Sequence, residues 1–282
     1  MGGMTHRSRL LAAYLVLAGC KDAGETPDRA AVEPPTSAPL QLKIGSYNVF
    51  YGNAEAATAE RAGFADPDTV NQAGLLGADV LALQETNGGF ESALRQRLAR
   101  ELPHCRFHPP TRLLPGGIGL CSRYPIVKDE LLDSPVGWFP AQRSLVSTPR
   151  GPLQVLNVHL KPAVADQAEW WSVHRSTRVD RDREIKGLHA SLAHDVPTII
   201  VGDFNDVVEG DLFATLSSLG FDNAFRERPT AETSWRWLGA EPPLAALLDH
   251  VAYQRDHLRL VDASVLAGGR SDHLAVVVSL EL

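Results

Sequence analysis

The chain ends in an apolar run, residues 275–282, which begins just after Ser271, Asp272 and His273. Serine and aspartate favour turns, so this triplet alone would indicate only a turn before a last strand. Polar side chains also end most other predicted strands, and catalytic groups usually lie on strand ends held by a rigid scaffold. We therefore treat these strand-end residues as one candidate site: Asn48, Glu85, His159, Asp203, Asn205, Asp249, Asp272 and His273.

These residue types suit the hydrolysis of a phosphate ester. For that reaction, the negative charge of the phosphoryl group must be neutralised and a nucleophile must be generated from water. The leaving oxygen must also be protonated or shielded. Mg²⁺ prefers oxygen ligands and keeps several waters, so one carboxylate and one amide oxygen are a sufficient protein share of its coordination. Each residue also has a structural interpretation, such as an Asx turn at Asp203 or a half-buried core position for His159.

The elements that must position these side chains alternate along the chain without a Gly/Ser linker, which indicates one domain over residues 41–282. Helices are predicted over 66–78, 89–103, 174–194 and 211–220 from apolar positions three or four residues apart. The strands DVLALQ, PTIIVG and AVVVSL are apolar on both faces, as in strands covered on both sides. Two packed sheets with helices outside are the economical solution, and a doubly wound sheet is the alternative. The tight turn in RSLVSTPRGPLQVLNVHL favours antiparallel neighbours and hence the two-sheet arrangement.

Seven stretches resemble, in order, motifs of the endonuclease/exonuclease/phosphatase superfamily, in its deoxyribonuclease-like and sphingomyelinase-like branch. They are SYNVFYGN, ADVLALQETN, GGIGLCSRYPI, LNVHLKP, VGDFND, LLDHVAY and SDHLAV. The resemblance implies an α+β fold, a four-layer αββα sandwich of two mixed sheets, and a metal-dependent phosphoesterase. It also implies that Asn48 and Glu85 bind Mg²⁺, or Mn²⁺, and that Asp272 completes the metal site or contacts it through water.

The same resemblance implies catalytic roles. His273 is the expected base and Asp249 the acid that orients it, while Asp203 aligns or activates the attacking water. Some branches assign the base to Asp203 instead, and both assignments stay open. Asn205 is expected to donate to a phosphoryl oxygen, and His159 to face the developing charge or the leaving oxygen.

Further residues are expected around the substrate. Arg143 matches a basic position of the family and would contact phosphate, with a structural ion pair as the alternative. Trp235 would stack on a base or an apolar group, or pack within its loop. Two adjacent tryptophans, Trp170 and Trp171, are not expected both to point inward on a regular element, so their loop is expected to form a rim for substrate or an interfacial anchor.

The first 40 residues predict export. Arg7 and Arg9 precede a short apolar run, and the run leads into LAGC, which ends at Cys20. This order is typical of a signal peptide and resembles the bacterial lipoprotein box, which implies lipidation of Cys20. An ordinary signal peptide is the alternative. Residues 21–40 are predicted to be a flexible tether, and the protein to be a monomer anchored in the cell envelope by lipid.

The net charge limits the expected binding partners, and the cysteines raise the question of a disulfide. A net charge of -7 disfavours non-specific binding to nucleic acid. Cys105 and Cys121 flank a predicted hairpin turn. A disulfide between them is possible after export. Because cross-strand pairs often have a geometry that is unsuitable for a disulfide, two buried thiols are the favoured interpretation.

We expect cleavage of a phosphodiester in nucleic acid or in a phospholipid head group. The alternatives are an inositol-phosphate type phosphomonoesterase and a non-catalytic binding lipoprotein of the same fold.

Overall fold

The computed structural model describes residues 38–50, 65–110, 114–237 and 243–282. The predicted signal peptide, Cys20 and most of the tether lie outside the described residues. Pro39–Leu282 cluster as one unit. Within the described ranges, no helix is both long enough and apolar enough to cross a membrane.

Fourteen strands and six α-helices make up the described fold. The strands are β1 (Gln41–Asn48), β2 (Val80–Gln84), β3 (His104–His108), β4 (Ile118–Ser122), β5 (Ile126–Leu132), β6 (Ala141–Thr148), β7 (Gly151–His159), β8 (Thr198–Asp203), β9 (Phe221–Asn223), β10 (Trp235–Arg236), β11 (Ala245–Ala246), β12 (Asp249–Gln254), β13 (Arg259–Leu266) and β14 (Ala275–Glu281). The helices are α1 (Pro67–Leu75), α2 (Gly88–Arg97), α3 (Trp170–Ser176), α4 (Arg178–His189), α5 (Asp211–Ser218) and α6 (Ala224–Glu227).

Two six-stranded sheets form the centre of the fold. Their orders are β13-β14-β1-β2-β4-β3 and β5-β6-β7-β8-β12-β9, and β10 pairs with β11 in a small separate sheet. Both large sheets are mixed: β1 runs parallel to β2, and β7 runs parallel to β8, among otherwise antiparallel pairs. The predicted α+β sandwich of two mixed sheets with helices outside is therefore confirmed.

The burial of alternate side chains explains the four layers. In β2, Val80 and Ala82 join the core cluster between the two sheets. Leu81 and Leu83 of the same strand join a second cluster with α1 and α2. On the other sheet, a third cluster contains Ile200 of β8 together with residues of α4 and α5. Strands that are apolar on both faces thus lie between two apolar layers, because both faces exclude water.

Some element boundaries differ from the predictions. Residues 174–194 were expected to form one helix, but α3 ends at Ser176 and α4 begins at Arg178. Thr177 separates them, and its hydroxyl accepts a hydrogen bond of 2.7 Å from Arg181. The predicted loop at Trp170 and Trp171 is the first turn of α3. One of its contacts is to a distant segment, where Trp170 stacks on Trp235.

The two cysteines form a disulfide, so the favoured interpretation of two free thiols is wrong. Cys105 of β3 and Cys121 of β4 are directly opposite in an antiparallel pair, which is the register that the predicted hairpin implies. Both residues are buried beneath α2. The crosslink ties the edge strand β3 to the sheet.

Replacing both cysteines by alanine should lower the free energy of unfolding by about 3 kcal/mol, because the crosslink restricts a loop of about 15 residues in the unfolded chain. Urea unfolding of the full chain, followed by tryptophan fluorescence, measures the difference. A thiol reductant should weaken the wild type and leave the double variant unchanged. Identical unfolding midpoints for the two proteins under oxidising conditions would contradict the prediction.

Candidate functional site

The predicted site residues converge because the strands that carry them end at one edge of the sandwich. In the parallel pair of β7 and β8, His159 is opposite Asp203. In the antiparallel pair of β8 and β12, Asp249 is also opposite Asp203. On the facing sheet, β1 ends at Asn48 and β2 ends just before Glu85. The register of both sheets therefore fixes where these side chains meet.

Asp203 stands at the centre of the site. Its Oδ2 atom lies 3.6 Å from Nε2 of His159 and 3.7 Å from Nε2 of His273. It also accepts a hydrogen bond of 3.1 Å from Nδ2 of Asn48, while Oδ1 accepts one of 2.9 Å from the backbone of Asn205. Burial raises the pKa of Asp203 to about 7. Two imidazole nitrogens therefore face the same carboxylate oxygen.

His273 and Asp249 form a buried acid–imidazole pair. Nδ1 of His273 lies 2.8 Å from Oδ2 of Asp249, so Nε2 is directed towards Asp203. Burial alone would lower the pKa of His273, but the charges of Asp249 and Asp203 outweigh it and raise that pKa well above its usual value. The pair fixes the tautomer of the ring and holds a proton in the site.

His159 has the opposite character. Its ring stacks on Phe139 at 4.2 Å between centroids. Burial, and then the charge of His273, lower the pKa of His159 to about 3. The site thus contains one imidazole that favours the protonated form and one that stays neutral. Titratable groups whose surroundings drive their pKa values apart are typical of acid–base sites.

Glu85 and Asp272 form an acidic corner beside the two histidines. Burial, and then the charge of Asp272, raise the pKa of Glu85 to about 8. Burial also raises the pKa of Asp272, whose Oδ1 atom is buried without a hydrogen-bond partner. Two desolvated carboxylates that repel each other, one with an unsatisfied oxygen, fit a hard divalent cation, which would relieve the repulsion.

Two details differ from the predicted metal ligands. The amide of Asn48 donates to Glu85 and Asp203 through Nδ2, while its oxygen accepts from the backbone of Phe50 at 3.0 Å. As placed, Asn48 stabilises the carboxylates as a donor, and its role as a ligand of the ion stays a prediction. Within the described ranges, ligand atoms of Asp203, Asp249 and His273 also lie within 4.8 Å of one another and could hold a metal ion. Because His273 already holds Asp249, we regard the carboxylates of Glu85 and Asp272 as the better hard-ion ligands.

The backbone is strained at three places around this centre. Phe50, Glu85 and Asn205 adopt positive φ values of 53°, 57° and 49°. Residues other than glycine avoid this conformation, and the cost is tolerated where the surrounding structure fixes it, often at functional sites. At Asn205 the side chain donates to the carbonyl of Leu160 at 3.0 Å, which secures the turn.

The polar centre opens into an aromatic cavity of about 410 Å³. Four of the five tryptophans of the chain line it, and Trp235 also donates to Asp272 at 3.2 Å. Trp170 is buried and stacks on Trp235 at 4.9 Å, whereas its neighbour Trp171 is 40% exposed. The tryptophan pair therefore divides between inside and outside, as expected. The aromatic lining consists of Phe50, Trp138, Phe139, Trp170, Trp235 and Trp237.

Arg143 does not belong to this cavity. Its guanidinium pairs with Glu130 across the β5–β6 pair and also donates to the carbonyl of Ser191. The arginine lies instead beside a smaller pocket that includes Lys128 and Gln154. The prediction that Arg143 contacts substrate phosphate is therefore wrong, and the structural ion pair is what the fold contains.

Two buried residues of α4 support the site from behind. Arg181 donates at 2.7 Å to the carbonyl of His174, and Glu184 accepts from the backbone of Lys161 at 2.9 Å. Lys161 follows His159 by two residues, so α4 fixes the chain that leaves the site. Both side chains are buried.

Ser234 is a site residue that the sequence did not reveal. Its hydroxyl donates to Oδ2 of Asp249 at 2.7 Å and accepts from the backbone of Leu248 and Asp249 at 2.9 and 3.0 Å. It thereby positions the carboxylate that orients His273. The only signal in the sequence is its place next to Trp235, because the contact joins segments that are 15 residues apart.

Comparisons with known proteins show the family and the fold. The sequence pattern of the Endonuclease/Exonuclease/phosphatase family matches residues 45–273. No curated protein matches the chain closely enough in sequence to count as a relative.

Solved structures share the fold at low sequence identity. An endonuclease/exonuclease/phosphatase from Beutenbergia cavernae is 20% identical over 86% of this chain and 72% of its own, with a TM-score of 0.62. D. rerio TDP2, complexed with single strand DNA product, is 15% identical over 85% of this chain and 98% of its own, with a TM-score of 0.63. Sphingomyelinase C from Streptomyces griseocarneus is 17% identical over 85% and 99%, with a TM-score of 0.58.

Replacing Ser234 by alanine should lower the free energy of unfolding by about 1–3 kcal/mol, because two buried N–H groups lose their partner and the carboxylate of Asp249 keeps only His273. Urea unfolding measures the change. Ser234→Thr keeps the hydroxyl and should retain most of the stability. Ser92→Ala, on the exposed surface of α2, is the control and should change stability by less than about 0.5 kcal/mol. Equal effects at Ser234 and Ser92 would contradict the assigned role.

Proposed function

Because the chain belongs to the endonuclease/exonuclease/phosphatase family, we propose that it is a divalent-metal-dependent phosphodiesterase. Family membership and the structural relatives, one of them a sphingomyelinase, support a phosphoesterase. The observation that carries the proposal is the buried carboxylate of Asp203 between the imidazoles of His159 and His273, beside the acidic corner of Glu85 and Asp272.

The ion that we propose for the acidic corner is Mg²⁺, with Mn²⁺ as a substitute. Glu85 and Asp272 would hold it, and a bound divalent cation would screen the phosphoryl charge. Asn48 then keeps Glu85 and Asp203 in place by donating to both carboxylates. Oxygen ligands of this kind discriminate against softer metals, which prefer sulfur or imidazole.

Proton transfer falls to Asp203 and His273. Asp203 is placed to align the attacking water and accept its proton, because it lines the cavity and its Oδ2 atom lies close to both rings. His273, held by Asp249, carries positive charge next to it and stabilises the ionised carboxylate. This division favours Asp203 as the acceptor, which is one of the two assignments that the sequence left open.

Two further side chains would act on the phosphoryl group. His159 stays neutral against Phe139, so it can donate one hydrogen bond to the developing charge without adding a cation. Asn205 lines the same cavity on a strained turn. Pre-positioned donors of this kind stabilise the transition state without reorganising during the reaction.

The charge of the cavity favours a diester over a polyphosphate. Among the described residues that line it, none is lysine or arginine. Lys161, whose Nζ atom lies 5.9 Å from the ring centroid of Trp138, is paired with Asp180 at 2.6 Å. Substrates with several phosphates would need such cations nearby, so the phosphomonoesterase alternative has weaker support. A non-catalytic module has no need for the retained group of Glu85, His159, Asp203, Asp249 and His273.

We also propose that the enzyme is exported and held in the cell envelope by a lipid on Cys20, acting as a monomer. The support is the order of charged, apolar and small residues before Cys20. With its natural leader in a bacterial host, the protein should incorporate labelled fatty acid and sediment with membranes. Cys20→Ser should abolish the label, whereas the Cys105→Ala/Cys121→Ala variant should keep it. Labelling of the Cys20→Ser protein would refute the anchor.

The purified enzyme should hydrolyse bis(p-nitrophenyl) phosphate with Mg²⁺ and lose this activity in EDTA. His273→Ala should lower kcat by about 10²–10⁴-fold, because the charge beside Asp203 and the proton relay are lost. His257→Ala, at an exposed histidine, is the matched control and should leave kcat unchanged. Turnover that survives both EDTA and His273→Ala would reject the proposed function.

A further inference from the structure

The cavity has an apolar rim on one side. Within the described residues, five large hydrophobic side chains are exposed: Leu75, Val127, Val164, Trp171 and Val179. Three of them fall within residues 164–179, which we call the rim segment. Val164 lines the cavity while 72% exposed, so the rim segment continues directly from the catalytic cavity to the surface.

The helical part of the rim segment has two distinct faces. Trp170 and His174 of α3 are buried, and Trp170 lines the cavity. Trp171 and Arg175 are exposed on the opposite face of α3, and Val179 is exposed in the first turn of α4. An exposed face normally carries polar residues; here it presents an indole and a valine at 40% and 61% exposure.

The exposed indole is held in place. Trp171 packs edge-on against Trp170 at 4.7 Å between ring centroids. Trp170 in turn stacks on Trp235, which donates to Asp272 in the acidic corner. The surface tryptophan is therefore joined through two rings to the residues around the metal site. Tryptophan combines an apolar ring with one N–H donor, and for this reason it concentrates at membrane–water interfaces.

The charge of the rim segment limits what can bind there. Asp166 and Glu169 are balanced by Arg175 and Arg178, so the segment is neutral on a chain whose net charge is -7. Nucleic acid requires cationic side chains along its phosphates, and anionic lipid also attracts basic clusters. A zwitterionic bilayer carries no net charge, and it presents phosphodiesters directly above an apolar layer.

We propose that the rim segment docks the enzyme on a zwitterionic lipid surface, with Trp171 and Val179 at the interface, and that the cavity takes its phosphodiester from that surface. This inference rests on the proposed function, because it assigns a phospholipid as the substrate of the same site. The aromatic lining then receives the part of the lipid next to the phosphate. A neutral docking surface matches a cavity whose described lining residues include neither lysine nor arginine.

Vesicle binding tests the proposal with two double variants of the full chain, each made together with Cys20→Ser, as is the reference protein, so that no lipid on Cys20 contributes to binding. Trp171→Ser/Val179→Ser removes apolar surface from the rim segment. Leu75→Ser/Val127→Ser removes exposed apolar side chains from α1 and β5 and is the matched control. The wild type and the control should sediment with phosphatidylcholine vesicles, and the rim variant should bind about tenfold more weakly. Val179→Ser alone, at a highly exposed position, gives a milder version if the double variant is unstable.

Hydrolysis separates this proposal from the proposed function. All three proteins should turn over soluble bis(p-nitrophenyl) phosphate within about twofold of one another, because neither pair of residues lines the cavity. The rim variant should lose about tenfold in hydrolysis of sphingomyelin or phosphatidylcholine in vesicles. If vesicle binding follows the prediction but the soluble diester is not cleaved, the proposed function fails and the docking surface stands.

Three results would overturn the docking surface. The wild type could fail to bind phosphatidylcholine vesicles, or bind only vesicles that contain phosphatidylserine. The rim and control variants could lose vesicle binding equally. A single-stranded oligonucleotide could bind the wild type and lose about tenfold with the rim variant while vesicles do not bind, which would assign the surface to nucleic acid.

Discussion

The main constraint on this structure is that several carboxylates are buried at one edge of a β-sandwich and must be compensated there. Asp203 is nearly inaccessible, and its charge is tolerated because Asn48, a backbone N–H and the two imidazoles surround it. A buried carboxylate without such partners would take up a proton, and this is the direction in which burial moves the pKa of Asp203 and Glu85. The same low polarity that makes these charges costly strengthens their interaction with a phosphoryl group or a cation.

The register of the sheets makes this arrangement rigid. His159 and Asp249 flank Asp203 because β7 and β12 are the two neighbours of β8. A shift of one residue in either strand would turn the apolar residues of that strand out of the core, so the hydrophobic layers hold the polar centre in position. The site is thus stabilised by side chains far from it, such as Ile200 and Val201, which lie on opposite faces of β8.

Much of this could be predicted from sequence, for reasons visible in particular residues. Strands apolar on both faces indicated two packed sheets, and polar residues at strand ends indicated the site, because both signals are local. Arg143 was misassigned because sequence does not tell whether Glu130 lies across from it. The hydroxyl of Ser234 and the ring of Phe139 were missed because their partners belong to distant segments. The disulfide could not be predicted because its formation depends on the distance between two Cα atoms on opposite strands. Only the folded sheet defines that distance.

The two halves of the cavity have different structural origins. Its polar half comes from strand ends, where the core fixes each side chain, and these residue types suit one reaction on a phosphate ester. Its aromatic half comes mainly from connecting segments, from Trp138 before β6 to Trp170 in α3 and Trp237 after β10. Connecting segments tolerate change without loss of the core. If the proposed function holds, the scaffold sets the reaction, and the group beside the phosphate would be selected by loops that could be exchanged while Asp203 and its partners stay in place.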